Sequence, residues 1–275
     1  MAGSFYEGTE AVLRRQIEDC FKHSLGPGAL PGSARDSERH ILGLISPHAG
    51  YVFSGPVAAN GFFSLASERE PQTVVILGPN HRGMGADVAV GRQDKWQTPL
   101  GQVDLDVELG QLIISASQWA QWDDLAHSRE HSIEVQVPFL QHIYGAAFRL
   151  VPIVMLRQDL EVSQDLGHAL AAALKRRDVL IIASSDFSHY EPQPSASRKD
   201  HLALEAVLAL DSEKLEGVVS SYGISMCGPG PVMAMLIACK ALGARKARLL
   251  RYATSGDITG DYSQVVGYAS VEVAI

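Results

Sequence analysis

The chain lacks the features that mark membrane-embedded and secreted proteins. No apolar run among its 275 residues approaches the length of about 20 residues that crosses a bilayer. Met1 leads into Ala-Gly-Ser-Phe-Tyr, not into the basic and apolar regions of a signal peptide. The three cysteines, Cys20, Cys227 and Cys239, are too few and too odd in number for a disulfide framework. These absences favour a cytoplasmic protein in a reducing compartment.

Long clusters of basic residues are also absent. The formal net charge is -8 and the pI is about 5.7, and the short run Lys175-Arg176-Arg177 is typical of the last turn of a helix, where cations interact favourably with the dipole. This balance argues against nucleic acid or an anionic membrane as the main partner. With 46% hydrophobic residues, the chain can build one large α/β domain or two small ones.

Three apolar segments each lead into a loop that carries a histidine. They are residues 41–46 with His48, residues 73–77 with His81, and residues 179–183 with Asp186 and His189. Continuous apolar runs of this length predict strands covered on both faces, as in a parallel sheet. Ligands of open α/β sheets bind at the carboxyl ends of the strands. One histidine there is unremarkable, but three favour a shared site.

The remaining periodicity predicts helices around this sheet. Helices are expected at residues 7–25, 54–67, 106–117, 130–144, 165–175, 201–210 and 231–242, and further strands at 150–156, 247–252 and 265–274. Residues 87–90 and 101–106 flank a turn-rich stretch and are expected to form a hairpin, which makes the sheet mixed. The Gly-, Pro- and Ser-rich stretch 26–39 predicts a surface loop, with too little chain before it for a separate domain.

His127 and His131 are four residues apart, and Glu134 follows three residues later. On a helix that begins early, both histidines would share a face, as two ligands on one helix do. With Ser128 as the N-cap, His127 would lie outside the helix and His131 in its first turn. We favour the capping interpretation for His127, with His131 and Glu134 as groups that support ligands through hydrogen bonds.

Cys227 precedes a predicted helix, where the positive end of the dipole lowers a thiol's pKa and promotes the thiolate. Together with His48 and His81 it makes an open metal site with three protein ligands. His189 would then be a general acid/base or a fourth ligand, and Asp186 its orienting partner or an acceptor for substrate. The alternative is a metal-free pocket of polar residues that captures an anionic ligand.

Several short motifs resemble, in content and order, those of the Memo family. They are Ala2-Gly3-Ser4-Phe5-Tyr6, Pro47-His48-Ala49-Gly50-Tyr51, Gly78-Pro79-Asn80-His81, Glu130-His131-Ser132-Ile133-Glu134, Ser184-Ser185-Asp186-Phe187-Ser188-His189 and Cys227-Gly228. Two later motifs, Ser255-Gly256-Asp257 with Thr259-Gly260-Asp261 and Val265-Val266-Gly267-Tyr268, are more similar to the prokaryotic members, often called AmmeMemoRadiSam system protein B. The resemblance covers nearly the whole chain.

The resemblance implies one α/β/α sandwich domain over residues 1–275, with a mixed central sheet similar to that of class III extradiol dioxygenases. It places His48, His81 and Cys227 at the family's metal-ligand positions, with Asp186 and His189 in the same pocket. In the dioxygenases a carboxylate stands at the cysteine position and completes an Fe(II) site with two histidines. Because Cys227 is a softer ligand, the resemblance implies Fe(II) or Cu, with Zn as an alternative.

Three functions are compatible with this resemblance. The first is a metalloprotein with redox or oxygenase-type activity, in which His189 transfers a proton. The second is a module that binds a small-molecule or peptide ligand, such as a phosphopeptide, in the same pocket without turnover. The third is a zinc hydrolase. The family also implies a functional link to a radical-SAM enzyme and an AMMECR-type protein.

Overall fold

A computed structural model describes residues 1–32 and 38–275. Its helices are α1 Glu10–Lys22, α2 Tyr51–Ala66, α3 Val107–Ala116, α4 Val137–Tyr144, α5 Leu160–Leu174, α6 Gln193–Leu208, α7 Ser212–Tyr222, α8 Pro229–Ala241 and α9 Gly256–Thr259. Its strands are β1 Ile41–Ser46, β2 Thr73–Pro79, β3 Val88–Val90, β4 Lys95–Thr98, β5 Gly101–Asp104, β6 Ala120–Trp122, β7 Arg149–Met155, β8 Val179–Ser184, β9 His189–Glu191, β10 Lys246–Thr254 and β11 Val265–Ala274.

A mixed sheet forms the centre of the fold. Its strand order is β10-β11-β1-β8-β2-β7-β3-β6, with β9 added beside β11. The four inner strands β1, β8, β2 and β7 are parallel neighbours, whereas β11 and β3 join antiparallel at either side. Parallel strands are stable when both faces are covered, which is the condition that their continuous apolar sequences predict.

Two layers of helices cover the sheet. Successive strand residues point to opposite faces, so Val75 and Leu77 of β2 pack under α3, α5, α6, α7 and α8. Val74 and Ile76 face the other layer, which contains α1, α2 and α4. The two cores share one sheet, and the predicted single-domain α/β/α sandwich is confirmed.

The three histidine-bearing segments lie side by side in this sheet. β8 pairs with β1 on one side and with β2 on the other, both in parallel. The segments of His48, His81 and His189 therefore leave the sheet at the same edge, as the sequence predicts. Predicted strand bounds agree with the observed ones here because each strand is an uninterrupted apolar run closed by turn residues.

The predicted hairpin between residues 87–90 and 101–106 is wrong. β3 pairs with β7 and β6 in the main sheet, while β5 pairs with β4 in a separate two-stranded sheet. The turn between β4 and β5 consists of Pro99 and Leu100. Closing this two-residue loop costs less chain entropy than closing the longer loop that a hairpin of β3 and β5 would need. The sheet is nevertheless mixed, through β3 and β11.

The predicted helix over residues 130–144 begins too early. Residues 128–133 contain turns but no helix, a single 3₁₀ turn spans Glu134–Gln136, and α4 starts at Val137. The Glu130 side chain accepts the backbone N–H groups of His131 and Ser132. A side chain that binds nearby backbone donors competes with the helix for them. Neither His127 nor His131 therefore lies on a helix, and Ser128 is not an N-cap.

Smaller differences concern helix ends and short elements. α2 starts at Tyr51, so Pro56 lies inside the helix and not in its first turn. α5 begins earlier than predicted because Asp159 caps it through the Val162 N–H, and α6 likewise begins earlier, at Gln193. Helix α7 and the short elements β4, β6, β9 and α9 have no counterpart among the predicted elements.

Two further predictions concern loops and membranes. Residues 26–32 and 38–39 contain no helix or strand, in agreement with the predicted loop, and residues 33–37 of that loop lie outside the described residues. Over the described ranges 1–32 and 38–275, no helix combines the length and apolar character needed to cross a membrane.

Helices α5 and α8 approach each other closely at Gly167. A Cβ atom at this position would lie 2.7 Å from the Ile237 Cβ and 2.9 Å from the Ala234 carbonyl oxygen. Both separations are shorter than ordinary van der Waals contact, and the second atom belongs to the backbone. The absence of a side chain at Gly167 therefore sets the distance between two helices of one core layer.

We expect Gly167→Ala to destabilise the protein by about 1–3 kcal/mol, the usual cost of overpacking. This overpacking penalty exceeds the stabilisation of up to about 1 kcal/mol that comes from the higher helix propensity of alanine relative to glycine. Gly217→Ala in α7 is the matched control, because no heavy atom lies within 4 Å of its added Cβ. Denaturant unfolding measures both, and equal stability of the two variants would contradict the packing argument.

Candidate metal centre

Three side chains with metal-binding atoms meet at the edge of the sheet. One ligand atom each of His48, His81 and Cys227 lies within 4.8 Å of the other two. His48 is buried, Cys227 is half-buried, and the His81 side chain is 30% exposed. The three residues come from separate loops, so only the folded chain brings them together. The arrangement is closed on the His48 side and reachable from solvent on the His81 side.

Hydrogen bonds fix the orientation and tautomer of His48. The Ser184 hydroxyl donates to the Ser132 carbonyl at 2.6 Å, so it acts as an acceptor toward the Gln136 amide at 2.8 Å and the His48 Nδ1 at 2.9 Å. A hydroxyl has only one proton to donate. The network therefore assigns the His48 proton to Nδ1 and leaves an unprotonated Nε2, which lies 3.2 Å from the Cys227 Sγ.

The charge state of His48 suits a metal ligand as well. Burial lowers the pKa of His48 well below its usual value, and the neighbouring His131 and His81 lower it further. A neutral imidazole is the form that binds a metal ion. At neutral pH the ring is therefore uncharged, with its free nitrogen directed toward the thiol.

Glu130 orients His81 in a comparable way. Its Oε1 accepts the His81 Nδ1–H at 2.9 Å and its Oε2 accepts the His81 backbone N–H at 2.7 Å. Burial opposes ionisation of Glu130, but the hydrogen bonds from His81 and Ser132 outweigh it and bring the pKa well below its usual range. The ionised carboxylate leaves the His81 Nε2 free, an arrangement common for metal-bound histidines.

The importance of Glu130 was not predicted. Helical periodicity makes Glu130 the first residue of the predicted helix over residues 130–144, although it also belongs to the Glu-His-Ser-Ile-Glu motif. A buried carboxylate in a motif with histidine is the signal that would have indicated its role. Since Glu130 and His81 are 49 residues apart in the chain, their pairing is visible only in the structure.

His131 packs beside the three candidate ligands. Its ring stacks on Phe5 at 4.3 Å and on His81 at 4.7 Å between centroids, and lies edge-on to His48 at 5.3 Å. Burial lowers its pKa to about 4. It also forms a second potential metal-binding group with His81 and Glu130, but the Glu130 carboxylate is already engaged by four N–H donors.

The structure separates the other two residues of this region from the cluster. Glu134 accepts the Tyr6 hydroxyl proton at 2.6 Å, so it anchors the N-terminal segment, and no direct contact with the candidate ligands is among its hydrogen bonds. His127 has its Nε2 3.2 Å from the Ala89 carbonyl oxygen. His127 and His131 are consequently not paired ligands on one helix.

The thiol of Cys227 behaves differently from the prediction. Burial raises the pKa of Cys227 far above its ordinary value, and the nearby Asp186 carboxylate raises it further. Cys227 lies before the N-cap Gly228 of α8, and the dipole does not overcome these two effects. The expectation of a lowered pKa is therefore wrong for the metal-free protein. A bound cation would supply the charge needed to displace the thiol proton.

Asp186 holds the His48 loop and the cysteine together. Its Oδ1 accepts the His48 backbone N–H at 2.7 Å, and its own backbone N–H donates to the Cys227 Sγ at 3.2 Å. Burial raises the pKa of Asp186 to about 6, against the effect of the hydrogen bond from His48. These contacts give Asp186 a positioning role toward two of the candidate ligands.

His189 lies at the border of the site. Its backbone N–H donates to the Ser225 hydroxyl at 2.7 Å, and its Nδ1 lies 2.8 Å from the Ser225 carbonyl oxygen. A carbonyl only accepts, so Nδ1 carries the proton and Nε2 is left with a lone pair. Among the described residues, His189 belongs to neither of the two potential metal-binding groups. It is half-buried.

A comparison with protein families identifies the chain's relatives. The family model described as Memo-like protein matches residues 1–272. The chain belongs to the Memo family. A MEMO1 family protein of Methanothermobacter thermautotrophicus is 50% identical over 271 residues, which cover 98% of this chain and 97% of the relative. One from Methanopyrus kandleri is 47% identical over 273 residues, with coverages of 98% and 96%.

A solved structure supports the architecture of this Memo-family chain. An uncharacterized protein from Escherichia coli K12 superposes with a TM-score of 0.59, and the match covers 86% of this chain and 100% of that one. At 14% identity the likeness shows a shared fold and nothing more. The predicted family membership is thus confirmed by sequence, and the sandwich fold by structure.

We expect Glu130→Gln to weaken metal binding by about 10–100-fold, the usual effect of removing a carboxylate that orients a metal-bound histidine. The neutral amide keeps the shape of the side chain but loses the charge that holds the His81 Nδ1–H. Competition titration with a chromophoric chelator measures the affinity.

Glu134→Gln provides a control, because it is the same substitution in the same motif but its carboxylate binds Tyr6. Its metal affinity should stay close to that of the parent protein. Equal weakening in the two variants would argue against a specific role of Glu130.

Proposed function

We propose that this Memo-family protein binds Fe(II) or Cu through His48, His81 and Cys227 and carries out redox or oxygenase-type chemistry on a small organic ligand. The observation that carries the proposal is the convergence of their three ligand atoms within 4.8 Å. Two imidazole nitrogens and one thiolate suit iron or copper and are also acceptable to zinc. Three protein ligands leave further coordination positions for a substrate.

The surrounding residues support this assignment. Both histidines have their Nδ1 occupied by a hydrogen-bond partner, Ser184 for His48 and Glu130 for His81, so each has Nε2 available for the ion. Such partners fix the tautomer and the ring orientation of metal-binding histidines. The free Nε2 of His48 lies 3.2 Å from the Cys227 Sγ, so these two ligand atoms are directed to one point.

The bound metal would supply electron transfer and polarisation of the substrate. Each of the neighbouring side chains then has a separate task. Glu130 keeps His81 in place, and Asp186 keeps the His48 loop against Cys227. His189 accepts or returns a proton at its free Nε2, while the Phe5 ring, stacked on His131, keeps water from that side of the cluster.

We expect Cys227→Ser to lose most of the bound metal, since serine is a poor ligand for a soft ion. Elemental analysis of protein purified without chelator, with anomalous diffraction at the metal edges, gives both metal identity and position. Cys20→Ala is the control, because Cys20 is buried in the core of α1 and α2. Full metal retention in Cys227→Ser would rule out Cys227 as a ligand.

The same variant has a second readout. Because the pKa of the Cys227 thiol is raised in the metal-free protein, metal binding at neutral pH releases its proton, and the apparent affinity rises with pH. Calorimetry in buffers of different ionisation enthalpy counts the released protons. At metal concentrations high enough to load the variant, Cys227→Ser should release one proton fewer per bound metal ion than the parent protein.

The competing function is a module that binds an anionic ligand without turnover. The carboxylates of Glu130 and Asp186, both buried at the cluster, disfavour an anion in the absence of a metal ion. Calorimetric titration of metal-stripped protein with phosphotyrosine tests this point, and we expect no binding. Tight binding without metal would support the module instead. An inactive zinc form beside an active iron form would exclude the zinc hydrolase.

Localisation and partners belong to this proposal as well. Family membership supports a functional link to a radical-SAM enzyme and an AMMECR-type protein, and the sparse cysteines favour a cytoplasmic setting. The genes adjacent to this one are the direct test of the link. A neighbouring radical-SAM gene would favour a shared modification pathway.

A further inference from the structure

A cleft of about 360 Å³ beside Tyr190 of strand β9 has no part in the chemistry proposed above. It is lined by Phe53, Tyr190, Ser255, Thr259, Asp261, Gln264, Val266 and Tyr268. Tyr190 follows His189 in β9, and the two rings lie 5.8 Å apart. Phe53 lies in the first turn of α2, which starts just after the His48 loop. The cleft therefore lies beside the segments that carry His48 and His189, and its described lining includes none of the candidate metal ligands.

Aromatic rings provide much of the cleft surface. Tyr190 is 71% exposed, an unusual environment for a large aromatic side chain, and Phe53 is 39% exposed. Tyr190 also has a φ of 57°, a left-handed conformation that costs free energy for a residue with a side chain. The fold therefore holds an exposed ring in a strained backbone position next to His189. Tyr268 contributes a third, largely buried ring.

The only charge among the described residues that line the cleft is negative. Asp261 is the one charged residue among the eight described lining residues. Its Oδ1 accepts the N–H and the hydroxyl proton of Ser263 at 2.9 and 2.6 Å, and these hydrogen bonds lower its pKa. The carboxylate is accordingly ionised at neutral pH.

The hydroxyl groups of the same loop are already engaged. Ser255 Oγ accepts the Val266 N–H at 3.0 Å, and the Thr259 hydroxyl donates to the Ser255 carbonyl at 3.1 Å. Both hydroxyls take part in the structure of the loop, and neither carries a positive charge that would balance an anion. The lining contains neither lysine nor arginine, so a phosphate or carboxylate would meet Asp261 without a compensating cation.

We infer that this cleft binds the ammonium group of a small organic cation. The faces of aromatic rings attract cations, and Asp261 adds an opposite charge at the rim. The inference goes beyond the proposed metal chemistry, because binding of the cation requires no metal ion.

Three probes of one shape test the inference. The probes are choline, its uncharged isostere 3,3-dimethylbutanol and the corresponding anion 3,3-dimethylbutanoate. Each is titrated into ¹⁵N-labelled protein, and binding is followed by NMR. Choline is expected to bind about tenfold tighter than the alcohol. The shifted amide signals should include those of Tyr190 and Asp261. Equal affinity of choline and the alcohol, or tighter binding of the anion, would overturn the inference.

Two substitutions locate the binding site. Tyr190→Ala removes one ring and is expected to weaken choline binding by about three- to fivefold. Asp261→Asn keeps the Oδ1 acceptor for Ser263 but removes the charge, and a comparable loss is expected. Tyr222→Ala, at the exposed end of α7, is the matched control and should bind choline like the parent protein. Unchanged affinity in both cleft variants would contradict the assignment.

Cys227→Ser separates this inference from the proposed metal function. The variant keeps all the cleft residues, so it should bind choline with the affinity of the parent protein even when it has lost its metal. Metal loss with preserved choline binding would support both proposals independently. Loss of choline binding in this variant would show that the cation depends on the metal centre and would overturn the independent site.

Discussion

The parallel hydrogen bonding of β8 between β1 and β2 is the constraint on which the site depends. Ser184 pairs with Ser46 of β1, and Ala183 pairs with Leu77 of β2. A slip of one residue would turn every side chain of β8 to the opposite face of the sheet. The Ser184 hydroxyl would then no longer reach His48, and the loop with Asp186 would shift away from Cys227. Core packing on both faces thus also sets the geometry of the polar cluster.

The polar cluster requires two buried carboxylates, and burying them disfavours the folded state. Glu130 and Asp186 are both nearly inaccessible to solvent, and an unpaired buried charge is strongly destabilising. Glu130 offsets that cost through several N–H donors, and its pKa is lowered, whereas Asp186 has fewer donors and its pKa is raised. The two carboxylates therefore differ in protonation behaviour although they hold neighbouring loops. Rigid support of this kind is what a preorganised metal site requires.

The accuracy of the sequence predictions follows from the kind of interaction involved. The parallel strands were predicted well because burial on both faces requires apolar residues at every position. The helix over residues 130–144 was predicted too long because its periodicity continues through the Glu130 turn, where one side chain takes the backbone donors. The predicted pairing of β3 with β5 was wrong because short strands of similar composition do not specify which neighbour they pair with.

Local sequence determined the three strands, the histidines that follow them, the candidate cysteine and the family. Tertiary structure alone decided that Glu130 holds His81, that His48 presents Nε2 to the thiol, and that burial raises the pKa of Cys227. The reason is chain separation: Asp186 and His48 are 138 residues apart, and Cys227 and His48 are 179 apart. Burial, tautomer and pKa arise from neighbours in space, which periodicity and motif spacing along the chain do not encode.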